Sequence, residues 1–300
     1  MKYRSQGQRR QRGMTLIELL VGIAIGLMVV AVAGGALMVS RGVSGTVSDA
    51  SAINQQAAYA MRVIGGQLRQ TGSLYLNPNP GNANAVNAPA APVAFERSAK
   101  SPGAGNDFDL SAANAQQIIS GNDTTLTIGF QRYADPVFTS ASAVPMARNC
   151  LGGPQDSSTD QRIESIFRLD TTDNELECAG NGVPAGAAPV FQPIIGQVAN
   201  FQLRYLVQSA NTPTTLGNPT VQYVQAASVT NWGEVQAVEV CLVLYGAEPI
   251  DLPPGSSYTD CDGSTSVDMT TLTGVRRNRM HKVYRNVFQL RSQGLLGSVL

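Results

Sequence analysis

A single carboxylate, Glu18, lies inside a stretch of residues that is otherwise almost entirely apolar. Between residues 14 and 39 the only other polar side chain is that of Thr15. A charged side chain at the centre of a bilayer costs about 2.5–3.5 kcal/mol, and its presence there implies a partner or a function. We therefore expect Glu18 to need a cationic partner if this stretch lies in a membrane.

The four cysteines also have a chemistry that their spacing helps to predict. Cys150, Cys178, Cys241 and Cys261 form no CxxC pair, and the chain contains one histidine. Protein zinc sites use closely spaced cysteines and histidines, so the pattern indicates disulfides in an oxidising compartment. Three pairings are possible, and we favour the two that are local in sequence, Cys150–Cys178 and Cys241–Cys261.

No catalytic constellation can be found in the sequence. It lacks a Walker loop and the GxGxxG, HExxH, GxSxG and SxxK motifs. The acidic stretches at 170–175 and 260–263 lack the ligand spacing of an EF-hand and are better explained as turns. His281 stands beside Lys282 in a predicted strand, where a surface or sheet position is expected. We expect no enzymatic activity, no cofactor and no bound metal.

The charges are unevenly distributed along the chain. The 21 basic and 21 acidic residues cancel, but residues 1–13 hold five basic residues and no acidic one. The remainder has 16 basic residues (21 − 5) against 21 acidic ones, a net charge of −5, which argues against a nucleic-acid partner. A local basic cluster is interpreted as a solvated hairpin edge, with an acidic partner subunit as the alternative. The cluster comprises Arg276, Arg277, Arg279, Lys282 and Arg285.

The apolar stretch at 14–39 is long enough to cross a membrane as a helix. The basic residues before it are expected to stay in the cytoplasm, which places the rest of the chain outside. A conventional signal peptide, cleaved after the small residues 31–33, is the alternative. Against that alternative, the charged Glu18 lies inside the apolar stretch, and a helical pattern continues beyond residue 33.

That pattern predicts one long helix over residues 14–71, apolar all round in its first half and amphipathic in its second. Gly72 supplies a stop signal. The apolar face of the second half is Val43, Val47, Ala50, Ile53, Ala57, Ala60, Ile64 and Leu68. The opposite, polar face is Ser48, Asp49, Asn54, Gln55, Arg62, Gln67 and Arg69.

The sequence "RGMTLIELLV" from Arg12 resembles the signal of type IV pilins and type II secretion pseudopilins, with Met14 at the position where Phe is common. The resemblance implies that a prepilin peptidase cuts between Gly13 and Met14 and methylates the new amino terminus at Met14. It also implies that Glu18, together with Thr15, sets the register of assembly by pairing with the amino terminus of a neighbouring subunit. We therefore expect a cleaved leader (1–13), a transmembrane and assembly half of the helix (14–39) and an amphipathic half (40–72).

Residues 73–300 are predicted to form a globular α+β domain with long loops. Residues 73–92 read as a loop rich in proline, asparagine and alanine. Alternation of apolar and polar residues predicts antiparallel strands, with a hairpin across 170–174. The expected strands are 124–132, 163–169, 175–178, a strand from Phe201, 221–224, 235–245 and 280–291. We expect the second half of the helix to pack on one sheet face of this antiparallel domain, as in the type IV pilin fold that the resemblance implies.

Three later stretches resemble the PilW-like minor pilins: "IIGQVANFQLRYLV", Trp232 with the following "VQAVEVCLVL", and "HKVYRNVFQLRS". The resemblance implies a minor pilin that helps to initiate or cap a type IV pilus. Its partners would be other minor pilins, the major pilin, the prepilin peptidase, the inner-membrane assembly platform and membrane lipid. It would lie in the bacterial inner membrane with the domain in the periplasm, and then in the pilus. The alternatives are a type II secretion pseudopilin and, from another class, a signal-anchored periplasmic enzyme or binding protein.

Overall fold

The computed structural model describes residues 13–72, 74–76, 93–95, 118–131, 134–135, 144–153, 162–180, 189–208 and 221–290. Most of the predicted leader and most of the 73–92 loop lie outside these residues. The chain divides into two compact units, residues 1–48 and 49–300.

The first element is helix α1 (Leu16–Gln70), 55 residues long. It begins and ends within two residues of the predicted bounds. Thr71 follows the last helical residue, and Gly72 has a φ of +74°, the left-handed conformation in which glycine commonly ends a helix.

The described strands follow in chain order. They are β1 (Leu74–Leu76), β2 (Val93–Phe95), β3 (Ile119–Gly121), β4 (Thr125–Gln131), β5 (Ala134–Asp135), β6 (Val144–Pro145), β7 (Arg162–Asp170), β8 (Glu175–Gly180), β9 (Gln192–Ile195), β10 (Val198–Gln208), β11 (Val221–Val224), β12 (Val235–Tyr245), β13 (Ser257–Thr259), β14 (Ser266–Asp268) and β15 (His281–Gln289).

The strands form two main antiparallel sheets, a division that the sequence did not predict. One has four strands in the order β11-β10-β12-β15, and the other has five in the order β3-β4-β7-β8-β9. The described part also contains three two-stranded ribbons, β1-β2, β5-β6 and β13-β14. The predicted α+β class and the predicted β7–β8 hairpin are confirmed.

Residues 49–70 of α1 share one hydrophobic core with both main sheets. Five apolar side chains of this segment, spaced three and four residues apart, are at most 1% exposed: Ile53, Ala57, Ala60, Ile64 and Leu68. They lie with Phe167 and Leu126 of the five-stranded sheet and with Phe201 and Val240 of the four-stranded sheet in a single cluster. The helix therefore contributes to a core enclosed by two sheets.

The predicted polar face of the helix is partly wrong. Asp49 and Gln67 were expected to face solvent, but each side chain is 8% exposed. Val47 was expected on the buried face, but its side chain is 65% exposed. The physical reason is that Asp49 and Gln67 find hydrogen-bond partners inside the domain, so burying them leaves no polar group unsatisfied.

Strand β12 is buried on both faces. Its core side carries Val238, Val240, Leu242 and Leu244, as the alternation predicts. On its other side Cys241 and Val243 form a second small cluster with Cys261, against which Tyr258 packs. Cys261 and Tyr258 belong to residues 246–280, which join β12 to β15 and which we call the 246–280 connection. This connection covers part of the second face of the four-stranded sheet.

The basic cluster at 276–285 is not a free patch on a hairpin edge. Arg276 donates a hydrogen bond to the carbonyl of Ala199 at 3.2 Å, and Arg285 donates to the carbonyl of Cys261 at 2.9 Å. Arg279 donates to the carbonyls of Gly246 and Ala247. The Arg276 and Arg285 bonds fasten the 246–280 connection to the sheet, and the Arg279 bonds join the two ends of the connection. Each guanidinium can satisfy backbone oxygens that a loop leaves unpaired.

Candidate functional site at the helix N-terminus

Thr15 and Glu18 form a capping box at the start of α1. The Glu18 carboxylate (Oε2) accepts hydrogen bonds from the Thr15 backbone N–H at 2.9 Å and from the Thr15 hydroxyl at 3.0 Å. In return, the Glu18 N–H donates to the Thr15 hydroxyl oxygen at 3.3 Å. The four first N–H groups of a helix have no intrahelical acceptor, and this reciprocal arrangement satisfies two of the donors at the helix start. Glu18 therefore has a partner within its own chain.

This capping role was not recognised in the sequence, although a signal for it was present. Thr15-Leu16-Ile17-Glu18 matches the pattern in which a Ser or Thr is followed three residues later by Glu or Gln before an apolar run. The charge of Glu18 in apolar surroundings was used to infer a cationic partner, and its spacing from Thr15 was not used.

Gly13 and Met14 precede the helix in irregular backbone, and both are exposed. The Met14 side chain is 73% exposed. The peptide bond between them therefore lies outside the helical hydrogen-bond ladder. Cleavage there would leave the amine of Met14 one residue before the helix cap.

The segment Leu16–Met38 is long and apolar enough to cross a membrane, and none of it is buried within the structure. Its 23 residues span about 34 Å at a rise of 1.5 Å per residue, close to the hydrocarbon thickness of a bilayer. We call Leu16–Met38 the apolar segment. Its uncovered side chains need lipid or other apolar helices around them.

The part of α1 in the second unit is attached to the domain by polar contacts as well as by the core. The Asp49 carboxylate accepts from the backbone N–H of Glu248 at 2.8 Å. Tyr284 of β15 donates its hydroxyl hydrogen to Asn54 at 2.6 Å. At Gly65 the helix approaches β15 so closely that an added Cβ would overlap the ring of Phe288. We call residues 49–70 the docked segment.

Gln67 joins the docked segment to the first disulfide. Its amide nitrogen donates to the carbonyl of Arg148 at 3.2 Å, and its amide oxygen accepts from the Ser165 hydroxyl at 2.9 Å. Ser165 also accepts from the backbone N–H of Cys150 at 3.1 Å. The structure pairs Cys150 with Cys178, so this buried network lies beside a covalent link between residue 150 and strand β8.

The second disulfide pairs Cys241 of β12 with Cys261 of the 246–280 connection, with the two Cα atoms 5.7 Å apart. Both bonds follow the pairing that is local in sequence. His281, expected at the surface or in a sheet, is the first residue of β15 and only 7% exposed. Burial lowers the pKa of its imidazole.

The two acidic stretches act as turns in the structure. Asp262 accepts hydrogen bonds from the N–H and hydroxyl groups of Ser264 and Thr265, which together lower its pKa, the Thr265 hydroxyl most of all. Asp170 accepts from the Thr172 N–H at 2.7 Å, and this bond is the main reason that its pKa is also lowered. Within the described ranges, His, Cys, Asp and Glu form no group of three or more that could hold a metal ion.

Comparison with known proteins gives two family matches. The family described as "Type IV Pilus-assembly protein W" matches residues 165–292. The family described as "Prokaryotic N-terminal methylation motif" matches residues 8–34, which include Gly13, Met14, Thr15 and Glu18. Among solved structures, a type IV-like pilin from Thermus thermophilus is similar at 16% identity and a TM-score of 0.31, covering 58% of this chain and 81% of its own. No curated protein matches the chain.

Proposed function

Because this chain is a PilW-like type IV pilin protein, we propose that it acts as a minor pilin that helps to initiate or cap a type IV pilus. Pilin family membership indicates a structural rather than an enzymatic protein. The observation that carries the proposal is the arrangement at the helix start. A capped glutamate directly follows the exposed Gly13–Met14 bond and opens a helix whose apolar side chains are uncovered.

The first step is processing by a prepilin peptidase. The peptidase would cut between Gly13 and Met14 and methylate the amine of Met14. The leader would be lost and the apolar segment retained in the inner membrane, with the domain in the periplasm. The chain would stay in contact with lipid there until the assembly platform draws it into the filament with the other pilins.

The second step is an exchange of partners at Glu18. Before assembly, the two Thr15 donors solvate the carboxylate, which reduces the cost of placing it among apolar groups. During assembly, the Met14 amine of a neighbouring subunit would add an ion pair to the same carboxylate. A desolvated charge is costly without a partner, so a stagger that leaves Glu18 or the amine unpaired is penalised. Thr15 and Glu18 would in this way select the register.

The experiment separates the charge of Glu18 from its capping role. Glu18→Gln keeps an oxygen acceptor that suits a capping box but removes the charge, whereas Glu18→Ala removes both. Each variant is expressed in a strain that lacks the native gene, surface pili are counted, and the membrane-extracted protein is analysed by mass spectrometry.

We expect the wild type to begin at a methylated Met14 and both variants to be cleaved normally but incorporated poorly into pili. Normal piliation by both variants would contradict a role of Glu18 in setting the register. Rescue by Glu18→Gln alone would leave capping as the function of this residue. A mature chain that begins at Gly34 or keeps Met1 would contradict the pilin assignment itself. A strain with normal pili but defective protein secretion would point to a secretion pseudopilin.

A further inference from the structure

The side chain of His281 contacts residues from before and from within the 246–280 connection. Tyr245 is the last residue of β12, Tyr258 belongs to β13 within the connection, and His281 opens β15. The imidazole stacks on the Tyr258 ring with centroids 4.9 Å apart and planes 5° apart. The Tyr245 ring is tilted by 33° against the same imidazole, with centroids 5.8 Å apart. His281 thus holds the hairpin of the connection against the end of the sheet.

The hydrogen bonds of this imidazole suit its neutral form. Nδ1 lies 2.9 Å from the carbonyl oxygen of Arg279, so the ring proton belongs on Nδ1 and donates to that oxygen. Nε2 is buried and has no hydrogen-bond partner among the described residues. An unpaired buried acceptor such as the neutral Nε2 has a desolvation cost of its own, but a smaller one than a charged group has. Protonation would create a buried donor without an acceptor and a charge without water, which is a far larger cost.

The charged groups around the ring offer it little compensation. Arg276, from the turn at 274–276, places a positive charge nearby while its guanidinium donates to Ala199. Asp260, which follows β13, is the nearby acid, but its carboxylate already accepts from the Asn200 amide at 2.9 Å and the Cys261 N–H at 2.7 Å. Arg279 directs its guanidinium to Gly246 and Ala247 and offers the ring only its carbonyl. Tyr245 and Tyr258 are neutral at and below neutral pH, because burial raises the pKa of both phenols.

We propose that His281 is a proton-sensitive latch that keeps the 246–280 connection closed on the four-stranded sheet at neutral pH and releases it in acid. The Cys241–Cys261 disulfide limits the release, because it keeps Cys261 attached to β12. The segments that would open are therefore those that flank the disulfide, including the stacked Tyr258. Opening would uncover Val243 and Val283, which the connection now helps to cover.

The direction of the pH effect follows from the direction of the pKa shift. Burial lowers the pKa of His281 in the closed form, while Arg279 and Asp260 oppose that effect in part. The released ring regains an ordinary pKa of about 6.5, so it takes up a proton before the closed ring does. The closure is complete above about pH 6.5 and is lost as the pH falls toward the lowered value. Each unit of lowering corresponds to about a tenfold larger open population once the released ring is protonated.

The chain itself offers a clean measurement, because His281 is its single histidine. The full chain, purified in detergent micelles with a histidine-free tag, is titrated from pH 8 to pH 5, and the imidazole resonances are followed by NMR. Amide hydrogen exchange is measured in parallel and corrected for its intrinsic pH dependence. We expect His281 to titrate below pH 6.5, and exchange in 246–259 and 270–280 to accelerate over the same range while β10 and β12 stay protected.

His281→Phe is the decisive variant, because it keeps a ring for stacking and removes the titrating nitrogen. Its exchange should show no acid step between pH 7 and pH 5. Tyr258→Ala should bring the pKa of His281 back towards 6.5, whereas Tyr258→Phe should leave it lowered. The latch is overturned by titration of His281 at or above 6.5, or by an acid step that persists in His281→Phe. If His281→Phe does not fold, wild-type titration without any accompanying acceleration of exchange also overturns it.

Discussion

The apolar segment and the docked segment belong to the same helix, but they satisfy their side chains in opposite ways. In the apolar segment the Glu18 carboxylate bonds to a residue three positions away, and the large apolar side chains are between 51% and 79% exposed. In the docked segment Asp49, Asn54 and Gln67 bond to residues 81 to 230 positions away. Its inward apolar side chains are at most 1% exposed.

This difference shows which part of the helix can change its surroundings. A local hydrogen bond moves with the helix, so transfer of the apolar segment from lipid to a filament leaves the capping box intact. Long-range contacts break if the helix leaves the domain, so the docked segment must stay where it is. One continuous element thus combines an exchangeable end with a permanent one, which fits the assembly role proposed for it.

The largest contrast is expected from the same substitution made once in each segment. Leu68→Ala removes a fully buried side chain from the core, so we expect the free energy of unfolding of the domain to fall by about 2–5 kcal/mol. Leu27→Ala removes a side chain that is 65% exposed and contributes nothing to that core. Denaturant unfolding in detergent micelles, followed by the fluorescence of Trp232, measures both.

Equal losses of stability in the two variants would contradict the division of the helix. A loss confined to Leu68→Ala, with Leu27→Ala affecting only membrane extraction or filament incorporation, would sharpen it.

Two adjacent glycines allow a finer test within the docked segment. An added Cβ at Gly65 would overlap the Phe288 ring, whereas at Gly66 it would meet nothing within 4 Å. We expect Gly65→Ala to destabilise the domain by about 1–3 kcal/mol through overpacking. Gly66→Ala should instead stabilise it by up to about 1 kcal/mol, because alanine is the better helix former. Thermal and denaturant unfolding compare them.

Replacing Phe288 by Leu should restore part of the stability that Gly65→Ala removes, because the smaller side chain makes room for the methyl group. Full additivity of the two substitutions would mean that the Phe288 ring is not the obstacle.

Much of the described fold follows from local sequence patterns. Alternation predicted β4, β7, β8, β10, β11, β12 and β15, and the three- and four-residue spacing of Ile53, Ala57, Ala60, Ile64 and Leu68 predicted the buried helix face. Both patterns indicate the direction of each side chain, which is set by the local helix or strand geometry.

Other features depend on partners that the local pattern does not reveal. Alternation does not say which strands pair, so the division into two sheets was missed. Asp49 and Gln67 were assigned to solvent because their partners, Glu248, Arg148 and Ser165, lie far away in the chain. Similarly, the arginines at 276, 279 and 285 were predicted to be solvated because local sequence does not reveal their acceptors, which are backbone carbonyls and, for Arg285, also the Glu239 carboxylate. The capping box could have been predicted from the three-residue spacing of Thr15 and Glu18, but the charge of Glu18 was interpreted only as a feature of assembly.

A smaller effect is expected where the docked segment begins. Asp49→Ala removes the acceptor of the Glu248 N–H, but Glu248 is exposed and water can replace that acceptor. We therefore expect a loss of about 0.5–1.5 kcal/mol in the unfolding free energy. Ser48→Ala, one residue earlier and exposed, is the matched control and should cost nothing measurable. A larger effect at position 48 than at position 49 would show that the docked segment does not begin at residue 49.

The smallest effect on the domain, and the most local one, is expected at Thr15. Thr15→Val keeps the shape of the side chain but removes the hydroxyl that bonds to Glu18 in both directions, so the first turn should lose about 1 kcal/mol. Thr15→Ser keeps the hydroxyl and should behave like the wild type. Because the capping bonds span only three residues, the unfolding midpoint of the domain should not move in either variant. Amide exchange in micelles should nevertheless accelerate at residues 17–19 in Thr15→Val alone. Equal acceleration in Thr15→Ser, or a shift in domain unfolding, would mean that Thr15 acts through something other than the capping box. The distinction between a helix end with local hydrogen bonds and a docked segment with long-range ones would then no longer hold.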